Sequence, residues 1–179
     1  MTENNLLMIP LNVAKAALLF MPSDDVRFYL NGLAVRVDGG DVELTASDGW
    51  TCYRHLIPDY HGVDDVEMII PQYVVKLALA QARKKKSAFL ELDVGQHFLG
   101  DIGFRPIEGK YPEYDMAKWR SGEKSASTTY MVSLLDRLQK ACNLLGDGYP
   151  ILPMIKHYEY CGVLEIDPVN LALVMALEV

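Results

Sequence analysis

The sequence predicts an α+β protein in which one supersecondary unit, a strand followed by a helix and three further strands, occurs three times. The units begin at Leu6, Val66 and Thr128, a spacing of roughly sixty residues that is typical of repeated architecture. In each unit, a stripe of apolar residues at helical spacing interrupts the apolar alternation that is typical of strands. Half of the 179 residues are apolar or aromatic, which is enough to bury a core.

The first unit opens with a short apolar run at residues 6–9, which Pro10 ends. A helix is predicted over residues 11–21, with Asn12 as a candidate cap. Three strands are predicted near residues 26–37, 42–47 and 50–57. The turns between them contain Asp and Gly, and glycine reaches the positive φ of a tight turn without a Cβ clash. These three strands are therefore predicted to form an antiparallel meander.

The second unit repeats the pattern. Its first strand, at residues 66–70, leads into Pro71, which suits the first position of a helix because its missing N–H costs nothing there. The helix is predicted over residues 72–84, and the basic run at its end suits the negative end of the helix dipole. The remaining strands are predicted near residues 88–94, 97–100 and 102–107.

The third unit is predicted to be half of a domain. Residues 1–117 are predicted to form one domain of two units, because units side by side can cover each other's open sheet edges. Residues 118–127 contain several Ser and Lys residues and a Gly, and they predict a linker. Residues 128–179 hold the third unit, which is left unpaired. Its elements are predicted as a strand near 128–131, a helix ending near 145, and strands near 154–160, 163–167 and 171–178.

Composition sets further limits. No apolar run reaches the roughly 18 to 20 residues that span a bilayer, and the N-terminus does not resemble a signal peptide, so we expect a cytoplasmic protein. Cys52, Cys142 and Cys161 show neither disulfide nor zinc spacing, and we interpret them as small buried apolar residues. The net charge of −7 disfavours indiscriminate coating of nucleic acid but is compatible with a local basic face.

No catalytic chemistry is predicted. The sequence has no nucleotide-binding glycine loop, no nucleophile elbow and no Cys/His cluster with metal-ligand spacing. Its four histidines lie on different predicted elements, whereas an enzyme needs a convergent acid, base and nucleophile. Asp24-Asp25 and Asp64-Asp65 could bind a metal, although such pairs are common in loops and caps. We therefore expect a non-enzymatic binding protein with no cofactor and no resident metal.

Four segments resemble one known family in their order and spacing. They are Asp25-Val26-Arg27-Phe28-Tyr29-Leu30-Asn31-Gly32, preceded by Phe20-Met21, then Thr45-Ala46-Ser47-Asp48-Gly49, Ile69-Ile70-Pro71 and Glu108-Gly109-Lys110-Tyr111-Pro112-Glu113-Tyr114. Together they resemble the middle domain of the bacterial DNA polymerase sliding clamp, the β subunit. The resemblance covers about residues 10–117 and implies the DNA-clamp fold. It also implies a homo-oligomer, because clamps close head to tail into rings with helices lining the hole.

The function implied by the resemblance is that of a processivity factor, a DNA replication accessory protein that contacts or encircles duplex DNA without sequence preference. The candidate DNA contacts are the basic residues on or at the ends of the predicted helices: Lys15, Lys76, Arg83, Lys84, Lys85, Lys86, Arg137 and Lys140. A simpler interpretation is that these cations decorate exposed helix faces, and that residues 83–86 complete a helix C-terminus.

A partner pocket is the second feature that the resemblance implies. Clamps receive short peptides from DNA polymerase and other partners, and the matching positions here are Leu30, Ser47, Gly49, Trp50, Thr51, Cys52 and Pro112. The sequence departs from the family directly after the Asp-Gly turn, where Trp50-Thr51 replaces the usual His-Arg. The indole could fill the groove or offer a new stacking surface, or Trp50 could be a core or edge packing residue.

An alternative function belongs to a different class. The chain could be a clamp-fold protein-interaction module or regulator that does not bind DNA. Such a protein would show no salt-sensitive affinity for duplex DNA and would not need to form a ring.

Overall fold

The computed structural model describes residues 5–114, 129–146, 155–157, 161–166 and 170–175. The first unit comprises β1 (Leu6–Pro10), α1 (Leu11–Leu18), β2 (Gly32–Asp38), β3 (Asp41–Ser47) and β4 (Thr51–Ile57). The second comprises β5 (Val66–Pro71), α2 (Gln72–Lys85), β6 (Phe89–Asp93), β7 (Phe98–Leu99) and β8 (Ile102–Gly103). The third comprises α3 (Val132–Leu145), β9 (Ile155–His157), β10 (Cys161–Glu165) and β11 (Asn170–Met175). The predicted α+β class is confirmed. The predicted order of helices and strands is also confirmed in the described part, except at residues 129–131, where the first strand of the third unit was predicted and only an isolated bridge at Thr129 is found.

The first two units exchange their first strands. β1 pairs with β6 of the second unit, which gives a small antiparallel sheet with the order β1-β6-β7-β8. β5 pairs with β2 of the first unit, in a larger sheet with the order β5-β2-β3-β4-β11-β10-β9. Each of these units therefore completes the sheet of the other.

The third unit extends the larger sheet across the edge of β4. β11 runs antiparallel to β4, with Val174 opposite Thr51 and Asn170 opposite His55. A buried polar group joins the two strands, since Asn170 Oδ1 accepts a 2.5 Å hydrogen bond from the Tyr53 hydroxyl and lies 2.8 Å from His55 Nδ1. Sliding the strands by one residue would break this group, so it helps to fix the register.

Helix α1 lies between the other two helices. It packs against both α2 and α3 and also contacts strands of both sheets. Its buried residues are small or β-branched, namely Val13, Ala14, Ala16 and Ala17, which allows close approach on several sides. Asn12 and Lys15, one turn apart, are its fully exposed residues. The three helices therefore form one layer, which we call the helix layer.

The helices α1 and α2 begin at the predicted residues, but the roles predicted for Asn12 and Pro71 were wrong, and α1 is shorter than predicted. α1 begins at Leu11, so Asn12 lies inside it and gives no cap; its side chain accepts a hydrogen bond from the N–H of the next residue. α1 ends at Leu18 rather than at residue 21. The N–H groups of Leu19 and Phe20 beyond it donate tighter i→i−3 hydrogen bonds, to the carbonyls of residues 16 and 17. Pro71 closes β5 and precedes α2 instead of starting it.

The strand predicted over residues 26–37 begins only at Gly32. The Asn31 side chain bonds in both directions to the backbone of Asp25, accepting from its N–H at 2.8 Å and donating to its carbonyl at 2.9 Å. These bonds hold a loop that contains a short 3-10 turn at Phe28–Leu30. A side chain that competes for backbone groups thus overrides a strand-like apolar pattern.

One more strand is shorter than predicted, and several predicted segments lie outside the described residues. The strand predicted over residues 102–107 covers only Ile102–Gly103. The predicted linker at 118–127 lies outside the described residues, as do parts of the third unit's predicted strands, at 128, 154, 158–160, 167 and 176–178. The predicted domain boundaries therefore remain predictions.

The three cysteines are free and buried, as predicted. Burial raises the pKa of the Cys52 thiol well above its usual range and that of Cys161 to about 11. Within the described residues no cluster of three or more His, Cys, Asp or Glu could hold a metal ion. None of the described helices is both long enough and apolar enough to cross a membrane.

Candidate nucleic-acid interface and partner pocket

The helix layer is cationic. Its three helices contain a single acidic residue, Asp136, against seven Lys and Arg residues. The seven are Lys15 on α1, Lys76, Arg83, Lys84 and Lys85 on α2, and Arg137 and Lys140 on α3. Because the whole chain carries a net charge of −7, the acidic excess lies outside these helices.

Helix α2 presents the longest exposed face of this layer. Its buried face packs Val74, Val75, Ala78, Leu79 and Ala82 into the core. Its exposed residues recur every three or four positions and comprise Tyr73, Lys76, Leu77, Ala80, Arg83, Lys84 and Lys85. Lys86 follows with φ of 55° and terminates the helix in a left-handed conformation. The predicted helix over residues 72–84 is thus confirmed to within one residue.

Three of the eight predicted DNA contacts already have an ion-pair partner. Lys85 contacts Asp101 at 2.5 Å and Lys140 contacts Asp136 at 2.6 Å, both on the exposed surface. Arg137 contacts Asp48 in a far better shielded position. The other five have no ion-pair partner within the part of the chain that the structure describes: Lys15, Lys76, Arg83, Lys84 and Lys86.

The candidate pocket centres on the turn between β3 and β4. Asp48 Oδ1 accepts hydrogen bonds from the N–H groups of Trp50 (3.0 Å) and Thr51 (2.7 Å) and from the Thr51 hydroxyl (3.0 Å). Ser47 Oγ donates to the Thr51 carbonyl at 2.7 Å and accepts from the Gly49 N–H at 3.0 Å. Gly49 has a φ of 86°, which L residues rarely adopt. The turn therefore presents Trp50 at its tip, 54% exposed.

Arg137 reaches this turn from α3 of the third unit. Its Nη1 donates to Asp48 Oδ2 and, at 2.8 Å, to Thr51 Oγ1. The side chains of Arg137 and Asp48 are 28% and 15% exposed. Burial alone would raise the pKa of Asp48, but hydrogen bonds from Arg137 and from the Thr51 N–H, together with the positive charge of Arg137, bring it below its usual value. The carboxylate is therefore charged at neutral pH.

A second arginine, Arg27, supports the same turn from the first unit. Its guanidinium binds Asp25 through two hydrogen bonds of 2.9 and 2.8 Å and donates a third, of 3.0 Å, to the Asp48 carbonyl. Hydrogen bonds from Arg27 lower the pKa of Asp25 to about 2. A Cβ added to Gly49 would lie 2.4 Å from Arg27 Nη1. Part of the segment that carries the family resemblance thus positions the turn.

A small depression lies beside the turn, and we call it the Trp50 depression. It is lined by Ser47, Gly49, Trp50, Thr51, Cys52, Tyr114 and Met175. The Tyr114 hydroxyl donates to Ser47 Oγ at 2.6 Å, and the Met175 N–H donates to the Trp50 carbonyl at 2.8 Å. Its free volume is about 20 Å³, room for about one water molecule. The depression is therefore too small, as it stands, for an amino-acid side chain.

Five of the seven predicted pocket residues meet at this depression. Leu30 is buried in a neighbouring cluster with Ala34, Ile69 and Tyr111. Pro112 is exposed and lines a separate, wider hollow of about 280 Å³ over β2 and β3. The exposure of Trp50 shows that it is not a core residue, whereas its interpretation as an edge packing residue stays open. Whether the five residues bind a partner stays a prediction.

Sequence reasoning missed the contribution of the third unit. The seven predicted pocket residues include none from the third unit, yet Met175 of β11 forms one wall of the depression. Thr51, where the resemblance leads one to expect arginine, receives a guanidinium from Arg137 of another unit. Nothing in the local pattern of either residue indicates that β11 would pair with β4.

The chain is similar in sequence to known bacterial proteins. The chain is 30% identical over 111 residues to the β sliding clamp of Pseudomonas aeruginosa, a match that covers 58% of this chain and 30% of that protein. It is 25% identical over 111 residues to the β sliding clamp of Pseudomonas putida, with the same coverage. The match thus spans about a third of the length of these curated relatives. No protein-family model matches the chain.

The chain has the same fold as solved structures of bacterial sliding clamps. The β subunit of DNA polymerase III from Thermotoga maritima superposes with a TM-score of 0.68 at 10% identity, covering 97% of this chain and 65% of that one. The sliding clamp of P. aeruginosa superposes with a TM-score of 0.62 at 14% identity, covering 100% and 68%. The two sheets and the helix layer therefore form the DNA-clamp fold. The sequence match and the fold together confirm the similarity to bacterial β sliding clamps that the motifs predicted.

Proposed function

We propose that the chain is a clamp-like, non-enzymatic accessory protein of DNA replication. It contacts duplex DNA through the helix layer, without reading the base sequence, and docks a partner peptide at the Trp50 depression. The observation that carries the DNA contact is the segregation of charge: the helices hold seven cations and one acid in a chain of net charge −7. The names of the relatives, β sliding clamp and DNA polymerase III β subunit, support the same role.

Contact with duplex DNA that does not depend on the base sequence needs positive charges that reach the phosphates from a smooth protein surface. Five of the candidate cations have no ion-pair partner within the described residues and are available for this: Lys15, Lys76, Arg83, Lys84 and Lys86. Lys85 and Lys140 are held only in exposed pairs, which are worth about 0–1 kcal/mol and can exchange a carboxylate for a phosphate. Arg137 is engaged with Asp48, so we leave it out of the proposed interface.

The peptide site is proposed from the position of Trp50. An exposed indole at the edge of an apolar depression offers a large contact area at a low cost in side-chain entropy. The walls of the depression come from the first and the third unit. A partner side chain can enter once these walls move apart, because the present volume admits only about one water molecule.

Fluorescence anisotropy with a labelled duplex of arbitrary sequence tests the DNA contact. The helix variant combines Lys76→Gln, Arg83→Gln and Lys84→Gln, all on the exposed face of α2. The control combines Arg36→Gln, Arg105→Gln and Lys110→Gln, three exposed cations outside the helices with the same change in net charge. If all three helix cations bind phosphates, the slope of log K against log salt should fall by about 2.7, or about 0.9 per contact, and the control should keep the wild-type slope.

The outcomes separate the candidate functions. Equal losses in both variants would mean that net charge alone governs binding, and the helix layer would no longer be the interface. If the wild-type chain shows no salt-sensitive binding, the interaction-module alternative replaces the DNA-binding proposal.

Encirclement of DNA is proposed only for a homo-oligomer, because three units cannot close a ring. Light scattering gives the molar mass of the assembly. Retention on circular DNA at high salt, followed by release when the DNA is cut once, would be the mark of topological binding. A monomer that dissociates equally from circular and linear DNA would exclude a ring.

A further inference from the structure

We propose that Arg137 is a positioning residue that pins the β3–β4 turn and keeps the Trp50 depression closed. Through this residue, the third unit controls access to a site formed mainly by the first unit. The inference rests on the proposed function only in treating the depression as a docking site. The contacts themselves stand independently of any partner.

The two carboxylate oxygens of Asp48 have different partners. Oδ1 accepts three of the hydrogen bonds that shape the turn, from Trp50 and Thr51. Oδ2 binds the Arg137 guanidinium. One carboxylate group therefore couples the shape of the turn to a residue on a helix of another unit. Rotation of this carboxylate would disturb both sets of bonds at once.

The third unit contacts the turn from two sides. The β4–β11 pairing reaches Thr51 opposite Val174, and the Trp50 carbonyl accepts from Met175 just beyond it. Arg137 approaches from α3 and completes the contact. The turn is thus held by the third unit from a strand and from a helix. Removal of the helix contact leaves the strand contact in place, so it should loosen the turn without detaching the unit.

The Cys52 thiol can report on the opening of the Trp50 depression. Cys52 lines the depression, is 3% exposed, and follows the turn directly in β4. Its burial raises the pKa of the thiol, so alkylation in the closed state is slow. Cys161 on β10 packs in the same buried cluster as Cys52, so its rate does not report separately on the third unit. Cys142 lies on α3, is 3% exposed and belongs to the main core, so its rate reports on the packing of that helix.

Alkylation of the 179-residue chain with N-ethylmaleimide tests the proposal. Trypsin separates the three cysteines into different peptides, so mass spectrometry gives a rate for each. In Arg137→Met, we expect Cys52 to react about tenfold faster, which corresponds to about 1.4 kcal/mol in the opening equilibrium. Cys142 should keep its wild-type rate. Asp48→Asn should behave like Arg137→Met, and Arg137→Lys should be intermediate because it keeps the charge but loses the planar fork.

Lys140→Met is the matched control. Lys140 lies one turn along the same helix and pairs only with Asp136 on the surface, so its loss should leave all three rates unchanged. An unchanged Cys52 rate in Arg137→Met would overturn the positioning role. A parallel rise at Cys52 and Cys142 would overturn it too, since the arginine would then hold the whole third unit. The assay uses neither DNA nor peptide, so its failure is distinct from a failure of the proposed function.

Discussion

Replacement of Gly32 by alanine tests how the motif at residues 25–32 is fixed in the fold. Gly32 opens β2 directly opposite Pro71 of β5. A Cβ added to Gly32 would lie 2.4 Å from the Ile70 carbonyl oxygen and 2.7 Å from Ile69 Cγ2. The carbonyl belongs to the backbone of the paired strand and cannot rotate away. The two strands would have to move apart at the point where the second unit completes the first.

The expected cost follows from these distances. Insertion of a methyl group into a packed site costs roughly 1–3 kcal/mol, and a backbone obstacle places this case at the upper end. The smaller entropy of the unfolded alanine chain returns roughly 0.4–1 kcal/mol. We therefore expect the free energy of unfolding to fall by about 2 kcal/mol. Urea denaturation followed by circular dichroism measures it.

Gly39→Ala is the control for this measurement. Gly39 lies in the β2–β3 turn with a φ of 59°, and a Cβ there would meet nothing within 4 Å. Its cost is conformational only, about 1 kcal/mol or less after the entropy gain. If Gly32→Ala lowers the free energy of unfolding no more than Gly39→Ala does, the close approach of β2 and β5 does not exclude a Cβ at Gly32.

Two further predictions concern the turn. Trp50→Ala should change the free energy of unfolding by less than about 1 kcal/mol, because the side chain is exposed; a larger loss in urea denaturation would mean that the indole packs in the core. The pKa of Asp48 is lower in the folded chain than its ordinary value of 3.8, so the unfolded chain binds the proton first as pH falls. The stability that Asp48 contributes should therefore be present above about pH 4 and be lost below it. Urea midpoints across this range should fall less steeply for Asp48→Asn than for the wild type, and parallel profiles would contradict the assignment.

Local patterns predicted the order of elements because strand and helix periods are properties of short segments. The bounds of α2 followed from its apolar stripe and basic end to within one residue. The same reasoning failed for residues 26–30, where the apolar pattern is strand-like. There the Asn31 side chain bonds to the backbone of Asp25 and turns the chain into a loop. This competition depends on geometry that the pattern does not encode.

The candidate site was predicted only in part. Residues 47 and 49–52 could be placed together because they are neighbours in one turn. Leu30 and Pro112 could not, since their positions depend on how Tyr111 packs against Leu30 and over the β2–β3 surface. Arg137 was predicted as a DNA contact because it is a cation on a helix, whereas its guanidinium is engaged by Asp48.

The sequence by itself determined the repeated unit, the relationship to sliding clamps and the concentration of cations on the helices. Each depends on residues close together in the chain or on motifs read in order. Only the tertiary structure decided which strands complete which sheet and which unit closes the Trp50 depression. The Arg137–Asp48 pair joins positions 89 residues apart. Such a contact joins two units that are far apart in the chain, so no local pattern can predict it.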